Sequence, residues 1–555
     1  LKPALRKTGT MRNPETAPAA IETPVLIAGG GPVGMTLALE LARYGVRSVL
    51  VERNPTTTRH PKMDLTNGRS MELFKRLGLE SKLRDVGVPR ENCFDISWIT
   101  TLAGHELYRF DYPSANEARV EISARNDGSQ ASEPGLRVSQ IVIEPVLKTA
   151  VDASPLIDVR FGTAFERIVA QDDTGVTAEI RPTGGKPVLV RCSFLAGCDG
   201  GGSIVRRELG IKTDGNYNVA SAYMVHFRST ALDVLQRWGV AWHYQSGTGT
   251  LIAQNDRDTW TLQRWLFPDM DPATLRPEDL LEEWAGTKFE YEILQANPWS
   301  AHFVVAESYR AGRVALAGDA AHQFVPTGGY GMNSGIADAI GLAWALAANL
   351  QGWGGPGLLD AYDRERRPTA WWHLAASQRH MGVRAEIGGV YAAAGDLGGD
   401  GPEAEAKRAA AGTQIATLGN AENESWGVEL GYRYDDSPVI WPEPGAPTVD
   451  PITYRPSTWP GTRLPHVFLE DGVSIHDRLG LHLTLVALED IDGTAIEAAA
   501  AARGIPLQVL RLGRPDLRPI YARDLLLVRP DQHVAWRGDR LPDDLDALLA
   551  RVAGF

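Results

Sequence analysis

Cysteine is nearly absent: Cys93, Cys192 and Cys198 are the only three in 555 residues. With no CxxC spacing among them, neither a disulfide framework nor a zinc or dithiol site is expected; no metal is anticipated, and the reducing cytoplasm is the expected compartment. Positive charge is also short, with 56 Lys and Arg against 69 Asp and Glu, a net charge of −13, and no basic block or basic aromatic groove. Nucleic acid and anionic membrane surfaces are thereby disfavoured as partners. No apolar run reaches the roughly 20 residues that a bilayer requires. The longest, from Gly335 to Leu350, carries Asp338 and Asn349. Leu1 to Thr10 lack a signal-peptide core, and Met11 rather than Leu1 could serve as initiator, so residues 1–20 read as a disordered arm or cloning remnant.

What is present has globular proportions, 43% hydrophobic and 23% charged. The length exceeds what one core serves, so two or three domains are expected. Pro24-Val-Leu-Ile-Ala28 has strand chemistry. Val33, Leu37 and Leu41 recur at helical spacing, and Ser48-Val-Leu-Val-Glu52 is again strand-like. The turn between the first strand and the helix, Gly29-Gly-Gly31-Pro32-Val33-Gly34, fits GxGxxG. Its glycines let the backbone approach a pyrophosphate on the helix N-terminus. Glu52, closing the second strand, is placed to accept ribose hydroxyls, which favours a nucleotide site over a merely structural turn.

That fingerprint does not separate FAD from NAD. Two further turns narrow the choice. Phe194-Leu-Ala-Gly-Cys-Asp199-Gly200 runs into Ser203 and Arg206. Arg313-Val-Ala-Leu-Ala-Gly318-Asp319 leads through His322 and Pro326 to a glycine-rich turn and a long helix. Backbone N–H groups at such a helix start suit an electron-rich flavin edge. From 215 to 303, segments such as Ala222 to Phe227 and Trp260 to Leu266 alternate, which predicts an inserted antiparallel sheet. Helical periodicity runs from after Gly318 to about Glu386. Gly388 to Pro465 then has loop composition, and 466–555 alternate strands with an Ala-rich helix near 494–503.

With these three ordered motifs the sequence resembles the class A single-component FAD-dependent aromatic monooxygenases. Pro61-Lys-Met-Asp64-Leu-Thr-Asn-Gly-Arg69-Ser-Met-Glu72 and Arg137-Val-Ser-Gln140 resemble the phenol and chlorophenol hydroxylase branch. Pro465 to Leu469 with Asp471-Gly472, and Leu527 to Asp531 with Val534 to Arg537, resemble that branch's thioredoxin-like C-terminal domain, here without cysteine. The pattern departs from the family's at Gly341-Leu-Ala-Trp-Ala345, where Asn and Lys are usual around Leu-Ala-Trp. The fold class so implied is α/β: a Rossmann-like FAD-binding domain (21–214 and 304–400), an inserted antiparallel-sheet substrate domain (215–303), a linker (401–465) and a thioredoxin-like domain (466–555).

The resemblance also implies roles. Gly29, Gly31, Pro32, Val33, Gly34, Glu52 and Arg53 would hold the ADP half of FAD. Asp319 after Gly318 would meet ribityl or ribose hydroxyls, and Arg69 and Gln140 would lie near the flavin chain. Asp199 would touch flavin and nicotinamide. Pro326, Gly329, Gly331, Met332 and Asn333 would border the isoalloxazine ring. Asp64 is the candidate general base toward a substrate hydroxyl, with Pro326 beside it in the catalytic set. Tyr244, Trp265 and Met224 are candidate substrate contacts, whereas His322 and Cys198 read as structural. The expected partners are a small aromatic substrate, O₂ and NADPH or NADH, with a homodimer admitted by the family. The expected reaction is hydroxylation of a phenolic or polycyclic aromatic through a flavin C4a-hydroperoxide. Baeyer–Villiger or epoxidising chemistry on the same fold, and a flavin-dependent redox-sensing or binding protein, remain alternatives.

Overall fold

The computed structural model describes residues 21–62, 64–470 and 472–555. The arm assigned to residues 1–20, Met63 and Asp471 lie outside the described residues. The first unit forms as its pattern requires. Strand β1 (Ile21–Ala28) buries Val25 through Ala28 completely, helix α1 (Pro32–Arg43) follows the glycine turn, and strand β2 (Ser48–Glu52) returns parallel to β1. Five parallel strands stand side by side in the order Val314–Leu316, Val188–Gly197, β1, β2 and Ile157–Phe161. The chain leaves β1 toward β2 and later reaches the strand on β1's other side. Strand order therefore reverses beside β1, and the crevice beyond the carboxyl ends of the strands there is where open α/β sheets take ligands.

A second eight-stranded sheet faces this crevice. Its order is His322–Gln323, Glu292–Ala306, Thr213–Arg228, Thr259–Trp265, Gly249–Ala253, His243–Ser246, Ile96–Ile99 and Glu106–Phe110. The last two strands precede the 215–303 segment in sequence, so the inserted domain borrows an edge that alternation within 215–303 could not reveal. One face of this sheet carries Val225, Phe227, Leu251, Trp260 and Leu262 against the helix Pro277–Ala285. The other face, one residue out of phase, points at the crevice.

The stretch from 388 to 465 differs from the loop expected there. The helix Gly357–Ala394 runs for 38 residues, and Pro402–Leu418 forms another helix packed on it. Ile415 joins Trp98 and Ile387 in a small core over the second sheet. Glycines and prolines dominate the composition of the whole stretch, but Glu403 to Ala411 is a local run of strong helix formers. The C-terminal unit has a four-stranded sheet in the order Leu507–Arg511, Leu483–Ala487, Leu525–Val528, Val534–Gly538, with the first two parallel and the others antiparallel. Helices Thr494–Ala502 and Leu545–Val552 complete the thioredoxin-like arrangement. Its alternate residues divide: Leu483, Leu485 and Leu527 join the core of the first sheet, and Val486, Leu526 and Val528 form a core of their own.

Candidate functional site

A cavity of about 650 Å³ opens in the crevice between the two large sheets. The turn after β1 forms one end of it, through Gly29, Gly31, Pro32, Val33, Glu52 and Arg53. Gly29 sits at φ 112°, and a Cβ there would lie 2.2 Å from the Cys198 carbonyl oxygen. Gly34 lies behind the cavity wall, where a Cβ would meet the Gly29 oxygen at 2.0 Å. Both positions therefore demand glycine, one for backbone conformation and one for the close approach of helix to turn. The Glu52 carboxylate accepts from Gly30 N at 2.9 Å and Asn54 N at 2.8 Å, which fixes it at the rim of the turn.

The other two turns meet the first. Asp199 faces the cavity, but its carboxylate accepts from Ser203 Oγ (2.5 Å), Ile204 N (2.6 Å) and Val205 N (3.1 Å) and so holds a helix start. Arg206 donates to Ala320 O at 2.8 Å and Gly201 O at 3.2 Å, tying this turn to the one at Gly318-Asp319. Beneath, buried Asp338 accepts from Gly318 N (3.0 Å), His322 Nε2 (2.9 Å) and Arg366 Nε (2.7 Å). Burial alone would raise the Asp338 pKa, but the Arg366 charge and the His322 hydrogen bond override it and hold the carboxyl down at about 2. His322 and Asp338 thus brace the turn, and Cys198 is a buried apolar neighbour whose thiol burial pushes far up. Asp319 is exposed to the cavity with no hydrogen-bonded partner among the described residues.

This arrangement fits a flavin dinucleotide. Helix α1 and the helix Tyr330–Leu350 both begin at the cavity, at Gly31 and Gly329, and neither start has a side-chain cap. Two sets of orphan N–H groups with their helix dipoles therefore open into one cavity. One could hold a pyrophosphate, and the other, beside Pro326, Gly329, Gly331 and Met332, could face the electron-rich edge of a flavin ring. Gln140 also lines the cavity, its Nε2 donating to Glu144 at 2.7 Å.

Other expected residues fall elsewhere. Arg69 pairs with Glu72 at 3.1 Å and donates to Gln532 and to the Asp531 carbonyl, so it faces the C-terminal unit and not the flavin chain. Gly318 and Asn333 stand just outside the wall; Asn333 stitches Leu65 O (3.0 Å) and Gly329 O (2.7 Å) to the helix it belongs to. Trp265 lines the cavity as expected. Tyr244 does not: it is wholly buried on the far face, donating to Gly239 O. Met224, paired opposite Gln263, is fully buried and also off the wall. Its neighbour in sequence made the difference at Tyr244, since His243 points inward. With Thr250, Ile252, Gln254, Gln263 and Trp299, His243 forms the sheet side of the cavity, and Arg384 and Glu422 close its end. The sheet residues were within reach of a count by twos along each strand. Arg384 and Glu422 had no such signal, because they belong to helices in and beside the stretch read as loop.

Asp64 stands at this wall. Its Oδ2 accepts from Trp242 Nε1 at 2.6 Å and His243 Nε2 at 2.9 Å, with the Arg137 guanidinium 3.8 Å away. Burial opposes ionisation, yet the His243 hydrogen bond and the His243 and Arg137 charges outweigh it and hold the Asp64 carboxyl down at about 2. His243 is pushed below its ordinary range, chiefly by burial and despite Asp64. The fold and the three converging turns define a flavin-dinucleotide oxidoreductase.

An FAD binding domain model matches residues 22–377, and an aromatic-ring hydroxylase C-terminal model matches residues 457–555. The FAD-dependent monooxygenase apdD of Emericella nidulans is 40% identical, over 96% of this chain and 90% of its own length. The rebeccamycin biosynthetic enzyme RebC with reduced flavin superimposes with a TM-score of 0.86 at 34% identity, covering 97% of this chain and 99% of that one. A ternary complex of aklavinone-11 hydroxylase with FAD and aklavinone does so with a TM-score of 0.80 at 29% identity, covering 96% and 99%. The chain belongs to the FAD-dependent aromatic monooxygenases, and its cofactor is FAD. Among the described residues no helix is long and apolar enough to cross a membrane.

Proposed function

We propose that this enzyme hydroxylates an oxygenated fused-ring aromatic, using NADPH or NADH as electron donor and O₂ as oxygen source, with Asp64 engaging the substrate hydroxyl. The observation that carries the reading is the Asp64 carboxylate, fixed at the wall between the flavin end and the second sheet. FAD, when bound along the two helix starts, supplies the two-electron and oxygen chemistry. The residues of the chain do the rest. Trp242 and His243 occupy Asp64 Oδ2 and leave Oδ1 as a hydrogen-bond acceptor. An acid held near pKa 2 is too weak a base to take a phenol proton outright. Its negative charge beside the hydroxyl instead polarises the O–H bond and enriches the ring in electrons where oxygen is delivered. The apolar wall of Leu65, Ile252, Phe324 and Trp265 keeps water from the reacting centre.

Similarity to aklavinone-11 hydroxylase, solved as a ternary complex with FAD and aklavinone, supports the substrate class. Purified holoenzyme incubated with NADPH or NADH and a panel of hydroxyanthraquinones and phenols is expected to yield a product heavier by one oxygen atom with the ring system intact. One atom of ¹⁸O₂ should enter the product and the other should leave as water. A product in which a ring carbon–carbon bond has been broken by the inserted oxygen would replace hydroxylation with Baeyer–Villiger chemistry. NAD(P)H consumption that no aromatic accelerates would point to the redox-sensing alternative.

A further inference from the structure

The polar side chains on the sheet side of the cavity are distributed unevenly in their bonding. Thr250, Ile252 and Gln254 follow at alternate positions along and just past the strand Gly249–Ala253, and all three line the cavity. At the rise of an antiparallel strand, Thr250 and Gln254 stand about 13 Å apart. The Thr250 end is committed. Its Oγ1 accepts from Arg384 Nη1 at 3.0 Å, Arg384 is held by Glu422 at 2.6 and 3.1 Å, and Glu422 Oε1 accepts from Gly328 N at 3.1 Å, beside the flavin-side turn. Between the ends lies Ile252, an apolar surface suited to a ring face, and Trp265 stands beyond the Thr250 end, level with Thr248.

Gln254 is different. It is only 7% exposed, it lines the cavity, and its amide makes no hydrogen bond among the described residues, with Oε1 fully buried and unpartnered. The turn that follows shows that this is not for want of polar groups nearby. Asn255 and Asp258 bond to one another and to Thr259. Gln263, another cavity-lining amide on this sheet, uses its Oε1 to accept from Trp299 Nε1 at 2.8 Å. A buried amide left without partners is unfavourable unless a ligand completes it.

Building on the hydroxylase reading above, we propose that Gln254 is a specificity-determining residue that reads an oxygen substituent at the distal end of an extended fused aromatic substrate. The substrate's other end lies by Thr250 and the flavin-side turn. The amide nitrogen donates to a carbonyl or a hydroxyl oxygen, so either group engages it. A single phenol ring reaches one end only, whereas a linear three-ring system carrying oxygen at both extremities engages both. The proposal therefore predicts discrimination by length and by distal oxygen together.

The test uses FAD-loaded enzyme and two probes of equal size, 2,6-dihydroxyanthraquinone and 2-hydroxyanthraquinone, titrated by the perturbation of flavin absorbance. The wild type is expected to bind the dihydroxy probe about five- to ten-fold more tightly, the worth of one hydrogen bond to a buried amide. In Gln254→Leu, and in the near-isosteric Gln254→Met should the first lose flavin, that preference should vanish while affinity for the monohydroxy probe is unchanged. A variant that keeps the preference, or a wild type that has none, overturns the assignment. The readout is binding, so a Gln254-dependent preference without any hydroxylated product would support Gln254 as the reader and overturn only the reaction assigned above.

Discussion

Charge is buried in two parts of this molecule, the flavin cavity and the seam with the C-terminal unit, and the two parts dispose of it differently. At the seam Glu72 takes Arg463 (2.9 Å to Nε) and Arg69 (3.1 Å), and Arg529 lies between Glu365 (2.5 and 2.8 Å) and Asp531. Every one of these groups is at least 95% buried, and every carboxylate is matched. Burial opposes ionisation of Glu72, but the Arg463 charge overrides it and holds the carboxyl below its ordinary range. Around the cavity, by contrast, among the described residues Asp319 has no hydrogen-bonded partner, Asp64 keeps one oxygen free, the Gln254 side-chain amide has no bond, and two helix starts lack side-chain caps. The seam's carboxylates are each paired with a guanidinium and fix how two units pack. The cavity groups left without partners are open to what binds there. A perturbed carboxylate by itself does not separate these cases, since Glu72, Asp338 and Asp64 are all depressed. What separates them is whether both carboxylate oxygens are already bonded.

Three substitutions probe that contrast. The largest effect is expected at Gly29, where Gly29→Ala puts a Cβ into the Cys198 carbonyl at a positive φ. The turn must move, and the purified variant should lose its flavin absorbance while the C-terminal unit keeps its circular dichroism. Normal flavin content would show that the turn tolerates a side chain. Next comes Glu72→Ala, which leaves Arg463 and Arg69 buried without their partner. It should lower unfolding free energy by about 3–5 kcal/mol in urea titration without altering the flavin spectrum. Because native Glu72 ionises below its ordinary 4.5, its contribution is complete above that pH and fades as acid approaches the depressed native value, so the wild-type advantage should shrink in acid. A loss that is the same at pH 7 and pH 4 would remove the ion pair from the explanation. The smallest effect is expected from Asp64→Asn, which keeps shape but removes the charge: kcat should fall roughly 100-fold with little change in KM. Asp64 is already ionised well below the working range, so the acid limb of the pH–rate profile should stay where it is. A shifted acid limb would mean that Asp64 titrates in the assay range and acts as a true base.

The nucleotide site was legible because its constraints are local. Gly29 answers to its own positive φ, Gly34 to the close approach of Gly29, and Glu52 to a strand end, so spacing within about 25 residues carries the information. The Asp199 and Gly318-Asp319 turns were legible for the same reason. The substrate wall was less so. Trp265 reaches the cavity wall, whereas Tyr244 faces away and its neighbour His243 reaches it, because alternation names two faces of a strand without saying which faces the crevice. Arg69, from a motif near Asp64, turned to the C-terminal unit, since helix Gly68–Arg76 presents successive residues to different sides. The helix at Pro402–Leu418 was hidden by the glycine and proline around it.

By itself, then, the sequence determined that β1, α1 and β2 surround a flavin dinucleotide turn, that two more strand-to-helix turns follow, and that a cysteine-free α/β unit ends the chain. Backbone conformation and short spacing are sufficient for those features, as they depend on neighbours along the chain. Tertiary structure alone decided which strand faces form the cavity, that Trp242 and His243 clamp Asp64 across 178 and 179 residues, and that Arg384, Glu422 and Gln254 line the cavity. The physical reason is that burial and hydrogen-bond satisfaction are properties of a closed three-dimensional neighbourhood, and only the completed fold shows which polar groups it has left open.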